Sequence, residues 1–386
     1  MVRLGDVCTF YSGTGFPNIY QGKADGKYPF YKVGDISRNV LSGNRELKIC
    51  ENYIDDDTAT KIKGTLLPPQ TVVFAKIGEA LRLNRRAITS RDCLVDNNAM
   101  GIKSDDSIID SLYFYYFMCN VDLQNYCEST TVPSVRKTRI AEIEIPLPPL
   151  DEQRRIAAVL DRVSDLIAKR REQLDKLDEL VKARFVEMFG DETEFDRWPS
   201  CTIGDVADIC VGVVIKPTQY YADQGIPAFR SLNIGEMRVK DGDWVYFTKE
   251  GHQKNQKSVV RKNDVLVVRS GAPGTACVAT EKYDGYNAVD IIIAHPDNTK
   301  VDSTFLAAFT NMPHGMNQIR GRTGGAAQQH FNVGGYKTLR LIMPPMDQQQ
   351  KFASFVKQTD KSKLTIQQSL DKLEVLKKAL MQQYFG

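Results

Sequence analysis

Residues 146–163 read PLPPLDEQRRIAAVLDRV, and 343–360 read MPPMDQQQKFASFVKQTD. Adjacent prolines fix φ and remove amide donors, so no helix continues through them. Each pair precedes a long stretch without a helix breaker. The segments 148–190 and 344–386 align without a gap. Pro148-Pro149 meets Pro344-Pro345, Asp151 meets Asp347, and Gln153 meets Gln349. LDKL at 174–177 meets LDKL at 370–373, Lys182-Ala183 meets Lys378-Ala379, and Phe189-Gly190 meets Phe385-Gly386. Agreement at so many dispersed positions identifies a duplicated unit.

The likeness continues upstream more weakly. LGDV at 4–7 resembles IGDV at 203–206, and YPFYKVGDI at 28–36 resembles IPAFRSLNI at 226–234. TVVFAKIG at 71–78 resembles DVLVVRSG at 264–271, and DNNAM at 96–100 resembles GYNAV at 285–289. The offset drifts, so insertions separate the blocks. The expected order is a variable domain (1–147), a helix (148–190), a second variable domain (191–343) and a second helix (344–386).

Asp151 can cap the first helix, with Glu152 adding charge at its positive end. Leu160, Val163, Ile167, Leu174, Leu177, Val181 and Met188 form a heptad-like stripe, and Gly190 ends the helix. Phe352, Val356, Ile366, Leu370, Leu373, Leu380 and Tyr384 repeat it. Such a helix is about 60 Å long and needs a partner. The repeat supplies one, and pseudo-twofold packing makes the pair antiparallel. DVLVVRSG and NAVDIIIAH read as strands, SIIDSLYFYYFMC and STFLAAFTNM as apolar helices. The fold class is α+β: two mixed α/β domains separated by two long helices packed as an antiparallel coiled coil. Two independent amphipathic helices remain the plainer alternative.

Composition fits this reading. The chain has 386 residues, 42% hydrophobic and 26% charged. No apolar run reaches membrane-spanning length, no signal peptide is visible, and the eight cysteines lie singly. A cytoplasmic, reduced protein without metal or cofactor is expected. Net charge is +3, and the last 40 residues, with 7 basic and 4 acidic, hold the whole excess. Any nucleic-acid surface is therefore a local patch. No phosphate-binding glycine loop, HExxH, CxxC or GxSxG motif occurs, nor the acidic/proline/aromatic tetrapeptide of amino-methyltransferases. All four histidines lie in the second half, so a mechanism shared by both copies would not use them.

Three blocks recur with chemistry suited to polynucleotides. One is a strand ending in a base and glycine, with Lys76, Gly78 and Arg85 in the first copy and Arg269, Ser270 and Gly271 in the second. Glycine lets amides approach phosphate, and arginine can read guanine. Another is the polar loop before each long helix, with Arg136 and Lys137, then Gln328, Gln329 and Asn332. The last is a basic turn, with Lys32 and Arg38, then Arg230 and Asn233. A changed set of side chains on a kept frame is what a changed recognised sequence requires.

PLPPLDEQRRIAAVLD, RTGGAAQQHFNVGGYKTL and the LGDV/IGDV openings resemble, in combination and over essentially the whole chain, the DNA-specificity subunit of type I restriction–modification systems. The resemblance implies two target-recognition domains, each reading half of a split site in double-stranded DNA. It implies an antiparallel helical spacer that docks two adenine methyltransferase subunits, joined by restriction subunits, and no catalytic activity in the chain itself. It puts DNA contacts near Lys76, Gly78, Arg136 and Lys137, and near Arg269, Gly271, Gln328, Gln329 and Asn332. Gln153, Leu160, Gln349 and Phe352 are the expected docking positions. The first pre-helix loop lacks the glycines of TGGAAQQ, and the second helix opens DQQQ instead of DEQR. Three alternatives stay open: a recognition subunit whose single partner both methylates and cleaves, an enzyme acting alone on DNA, and a scaffold that does not bind DNA.

Overall fold

The two copies fold on one plan. The computed structural model describes residues 1–127, 132–322 and 330–386. The chain divides into two packing units, residues 1–172 with 367–386, and residues 173–366. Both cuts fall inside helices, the central helix Leu150–Phe189 and the terminal helix Met346–Phe385. The expected boundaries at the helix starts are therefore not where packing divides the chain. Each helix contributes one half to each unit. Among the described residues, no helix is long and apolar enough to cross a membrane.

The first unit contains β1 (Val2–Arg3), β2 (Cys8–Ser12), β3 (Tyr28–Tyr31), β4 (Tyr53–Ile54), β5 (Val72–Ala75), β6 (Ala87–Ile88), β7 (Leu94–Val95), β8 (Ala99–Ser104) and β9 (Glu144–Ile145). Its sheets run β2-β8-β5-β6, β4-β3-β7 and β1-β9. The second unit contains β10 (Ser200–Thr202), β11 (Ala207–Val211), β12 (Tyr221–Ala222), β13 (Ile226–Phe229), β14 (Ile234–Gly235), β15 (Arg238–Val239), β16 (Val245–Phe247), β17 (Val265–Val268), β18 (Ala276–Val278), β19 (Asn287–Ala288), β20 (Ile291–Pro296) and β21 (Arg340–Ile342). Its sheets β11-β20-β17-β18, β12-β16-β13-β19 and β10-β21 repeat the plan, with β12 and the β14–β15 hairpin as additions.

Registers agree as well. Val72 faces Ile102 and Ala75 faces Ala99; Val265 faces Ala294 and Val268 faces Ile291. This matches the alignment of TVVFAKIG with DVLVVRSG. Each unit has a parallel pair, Tyr31 beside Val95 and Phe229 beside Ala288. That register corrects one alignment. GYNAV supplies β19, whose counterpart is β7, whereas Ala99 of DNNAM already belongs to β8. The shared Asn-Ala pairs two different strands.

In the first unit the leading half of the central helix meets the trailing half of the terminal helix. Ile156, Ala157, Leu160 and Met381 share one core. The Phe385 ring lies 5.1 Å from Tyr113 and 5.8 Å from Phe117. Arg171 pairs with Glu374 at 2.7 Å. In the second unit the halves are exchanged. Phe352 packs 5.4 Å from Phe185 and 5.7 Å from Phe189, and Lys363 pairs with Asp178 at 2.6 Å. Rising numbers on one helix meet falling numbers on the other, so the halves within each unit are antiparallel. Of the apolar stripe, Leu160, Val163, Ile167, Val181, Phe352, Val356 and Leu370 are buried and the other members half-buried, while Phe185 and Phe189, outside the predicted stripe, are fully buried beside it. The central helix opens at Leu150, which places Asp151 inside the first turn instead of at the cap. Gly190 ends it at φ +89°.

The double proline and glutamine have a defined task. Pro149 O accepts from the Glu152 and Gln153 amides at 2.9 and 3.0 Å, and Pro345 O from Gln348 and Gln349 at 2.9 and 3.2 Å. The Gln153 side chain turns inward. Its Oε1 accepts from the Asp110 amide at 2.9 Å, and its Nε2 donates to Ile108 O at 3.0 Å and Pro148 O at 2.8 Å. Gln349 repeats this, accepting from the Asp302 amide at 2.9 Å and donating to Pro344 O at 2.8 Å. Asp110 and Asp302 cap the apolar helices Ser111–Asn120 and Ser303–Asn311. The glutamine thus ties each long helix to the apolar helix of its domain. Gln153, Leu160, Gln349 and Phe352 are all 0–1% exposed. This corrects their expected role: they hold the helix to its own domain and present no surface to a partner. Gln153→Ala leaves three part-buried backbone groups without their partner, so it should lower stability by about 2–3 kcal/mol, read from the urea midpoint.

A second polar tie joins neighbouring strands. His295 Nδ1 lies 2.7 Å from Asp264 Oδ1, and its Nε2 lies 3.6 Å from Cys210 Sγ. The hydrogen bond to Asp264, followed by that to Cys210, raises the His295 pKa from 6.5 to about 9. A raised histidine pKa stabilises fully below the unfolded value and loses its effect as pH climbs through the folded value. Wild-type stability should fall by up to about 3 kcal/mol between pH 6.5 and 9. In His295→Asn that fall should be absent from urea titrations taken across the same range.

Candidate nucleic-acid interface

Topology gathers the recurrent loops at one end of each unit. In β2-β8-β5 the end of β2, the start of β8 and the end of β5 lie together, since Ser12 faces Met100 and Ala75 faces Ala99. Isolated bridges extend this end, Thr14 with Asp96 and Ile77 with Ser134. Lys76 donates its amide to Asn98 O at 2.8 Å, Val135 donates to Lys76 O at 3.0 Å, and Gly78 donates to Pro133 O at 2.8 Å. The strand-end loop and the pre-helix loop are therefore clasped together. The Asp96 carboxylate accepts from the Val33 amide at 3.2 Å, which brings in the basic turn. Burial holds the Asp96 carboxyl above its ordinary pKa, opposed by the amides it accepts from.

The second unit builds the same clasp with other side chains. Phe331 donates its amide to Arg269 O at 3.0 Å, and Ser270 bridges His330. The Arg269 guanidinium reaches Asp290 at 2.5 Å, His330 Nε2 at 2.5 Å and Phe331 O at 3.2 Å. Ser270 Oγ lies 2.7 Å from His330 Nδ1. Gly78 and Gly271 occupy the left-handed region at φ +76° and +90°, as the turn out of the strand requires.

Several expected contacts have structural duties. Arg269 is 8% exposed and paired, so it is no outward guanine reader in this conformation. Asn233 is fully buried; it accepts from the Arg230 amide at 2.9 Å and donates to Gly242 O at 2.7 Å. It matches Asp35, which accepts from the Lys32 amide at 2.8 Å. The Gly78 amide is spent on Pro133, so it cannot cradle phosphate. Arg38 is exposed but engaged by Asp35 and Glu51. Arg85 is half-buried. Lys32 is half-buried, reaching Gln21, with its ammonium 5.9 Å from the Phe16 ring. Lys76 and Arg230 are half-buried, the latter donating to Asp243 O. Arg136 and Lys137 are exposed, Lys137 lying 5.4 Å from the Phe10 ring. Gly271 and Asn332 are exposed, with Asn332 capping the Val333–Lys337 helix. Gln328 and Gln329 lie outside the described residues.

Sequence reasoning set aside His330 because histidines occur in one copy, and it missed Asp290. It also missed the loops Gly13–Gln21 and Gly212–Tyr220, which share this end. The signal was present: glycine, proline and tyrosine recur in order as 13, 17, 20 and 212, 217, 220.

A frame built twice in one chain, with unlike side chains on the clasp of each copy, is the pattern of two recognition domains. The model of the type I restriction modification DNA specificity domain matches residues 1–178 and again 196–377. The chain belongs to this family. It is a specificity subunit with two target-recognition domains, and the reading with a single methylating and cleaving partner is not favoured. The type I restriction enzyme MjaVIII specificity subunit of Methanocaldococcus jannaschii is 21% identical, over 99% of this chain and 90% of its own length. The EcoBI specificity subunit of Escherichia coli is 20% identical, over 92% and 78%. The fold matches the S subunit of a type I restriction–modification system from M. genitalium, with a TM-score of 0.54, 14% identity and coverage of 100% and 95%. A chain from work on complex assembly and conformational transition of the type I R-M system gives a TM-score of 0.56 and 17% identity, with coverage of 100% and 96%.

If Arg269 closes the clasp, Arg269→Ala should destabilise by about 2–3 kcal/mol and weaken recognition across the whole half-site. A change confined to one base position, at unchanged stability, would return Arg269 to the base-reading set.

Proposed function

We propose that each unit reads one half of a bipartite site in double-stranded DNA through its clasped end loops. The two continuous helices set the number of unread base pairs between the halves. The chain acts with two adenine methyltransferase subunits and with restriction subunits, which carry the chemistry. The observation that carries this reading is the kept frame with exchanged side chains: Lys76, Gly78 and Ser134 in one unit stand where Arg269, Gly271 and His330 stand in the other. Exposed cations at this end, Arg136 and Lys137 among them, suit phosphate, which positions a protein on the duplex, while the differing loops suit base edges.

Docking passes from the buried positions to exposed apolar ones on the same helices. Among these are Val159, Leu166 and Val375 in the first unit and Leu180 and Leu364 in the second, exposed by 38, 39, 70, 46 and 60%. Apolar side chains left in water at helical spacing suit a protein partner.

Replacing residues 195–343 by the matching domain of a relative should change one half of the methylated motif and leave the other half intact. Sequencing N6-methyladenine across the host genome reads the outcome. A motif changed in both halves, or in neither, contradicts the modular reading.

A further inference from the structure

The loop after the first sheet strand has no role above. It runs from Gly13 to Gln21 in the first unit and from Gly212 to Tyr220 in the second. Its root is pressed onto the clasp end. A Cβ at Gly13 would sit 1.7 Å from Asp96 O, and one at Gly212 would sit 2.7 Å from the Ala288 carbonyl. Thr14 donates to Val95 O at 2.9 Å and Val213 to Ala288 O at 2.8 Å, so β7 and β19 hold the roots. A proline then starts or precedes a single 3-10 turn, Asn18–Tyr20 or Pro217–Tyr220. The loops are fixed at the base and each carries a 3-10 turn, with Ile19 inside it and Ile215 just before it.

Each tip presents an aliphatic side chain to water. Ile19 is 81% exposed and Ile215 80%, the two most exposed large hydrophobic residues among those described. They lie on opposite sides of the loop proline, so the loop recurs and the position does not. Single exposed apolar residues are ordinary. In the second unit the distribution is not. Among the described residues of 191–343, the exposed large hydrophobics are Val214, Ile215 and Leu232. All three belong to the clasp end, Leu232 in the turn after β13. Basic side chains flank the tips: Lys32 holds Gln21 beside Phe16, and Lys216 is exposed next to Ile215. An apolar point beside a cation, at the end that carries the reading loops, suits a duplex whose apolar bases lie beside charged backbones.

Resting on the DNA-reading role above, we infer that this loop is a wedge, with Ile19 in the first unit and Val214-Ile215 in the second entering a base step of the half-site. Aliphatic wedges of this kind unstack a step and kink the duplex, most readily at pyrimidine–purine steps.

The test uses the full chain assembled with its methyltransferase partner and duplexes carrying its methylated site. The fluorescent base 2-aminopurine is placed in turn through the second half-site. Wild-type binding should brighten the analogue at one step. Ile215→Ala should abolish that rise and weaken binding about tenfold. Ile215→Met, which keeps a wedge-sized apolar side chain, should retain both. The wedge is overturned if no position brightens and Ile215→Ala binds as tightly as wild type. Failure of the wild-type complex to bind any such duplex would overturn the DNA-reading role and the wedge together.

Discussion

The structure depends on one buried side-chain amide per unit. Gln153 and Gln349 each take the amide of the aspartate that caps an apolar helix and return a bond to the first proline carbonyl of the pair. A buried polar group is tolerated only when its bonds are made, and its geometry then fixes what surrounds it. The prolines stop the preceding strand, the glutamine sets where the helix starts, and the apolar helix is held against it. Each recognition domain is thereby mounted on its rod in the same way, whatever sequence its loops read.

Above this mount the two copies separate into a frame and a set of fittings. The frame is the sheet order, the parallel pair and the clasp between strand end and pre-helix loop. The fittings differ in size and charge. The first unit fills the turn after β3 with the helix Val33–Leu41, and the second with the 3-10 turn Ser231–Asn233 and a hairpin. To the backbone bonds that both clasps share, the second unit adds the side chains of Arg269, Asp290 and His330.

The duplication, the helices and the strand pairs around Val72 and Val265 were legible in sequence, because periodicity and spacing survive divergence. What failed has identifiable causes. Hydrophobic period separates inside from outside for leucine, but it does not say that Gln153 turns inward. Matching letters misled at Ala99 and Ala288, since two alanines in different strands look alike without register. Arginine type suggested a base reader at position 269, but charge says nothing about whether an aspartate such as Asp290 already holds it. Asn233 misled in the same way, being a cap in place of Asp35.

The division of both helices between units has a consequence for synthesis. The second unit, 173–366, is continuous in the chain, whereas the first closes residues 1–172 with residues 367–386. The part translated first is therefore the part completed last. Phe385, which packs on Tyr113 and Phe117, belongs to the late segment 367–386. Until it leaves the ribosome, those apolar surfaces stay open, and a chain cut short before residue 367 never covers them with its own helix. Completion of the first recognition unit thus waits on synthesis of a segment that lies beyond the whole of the second.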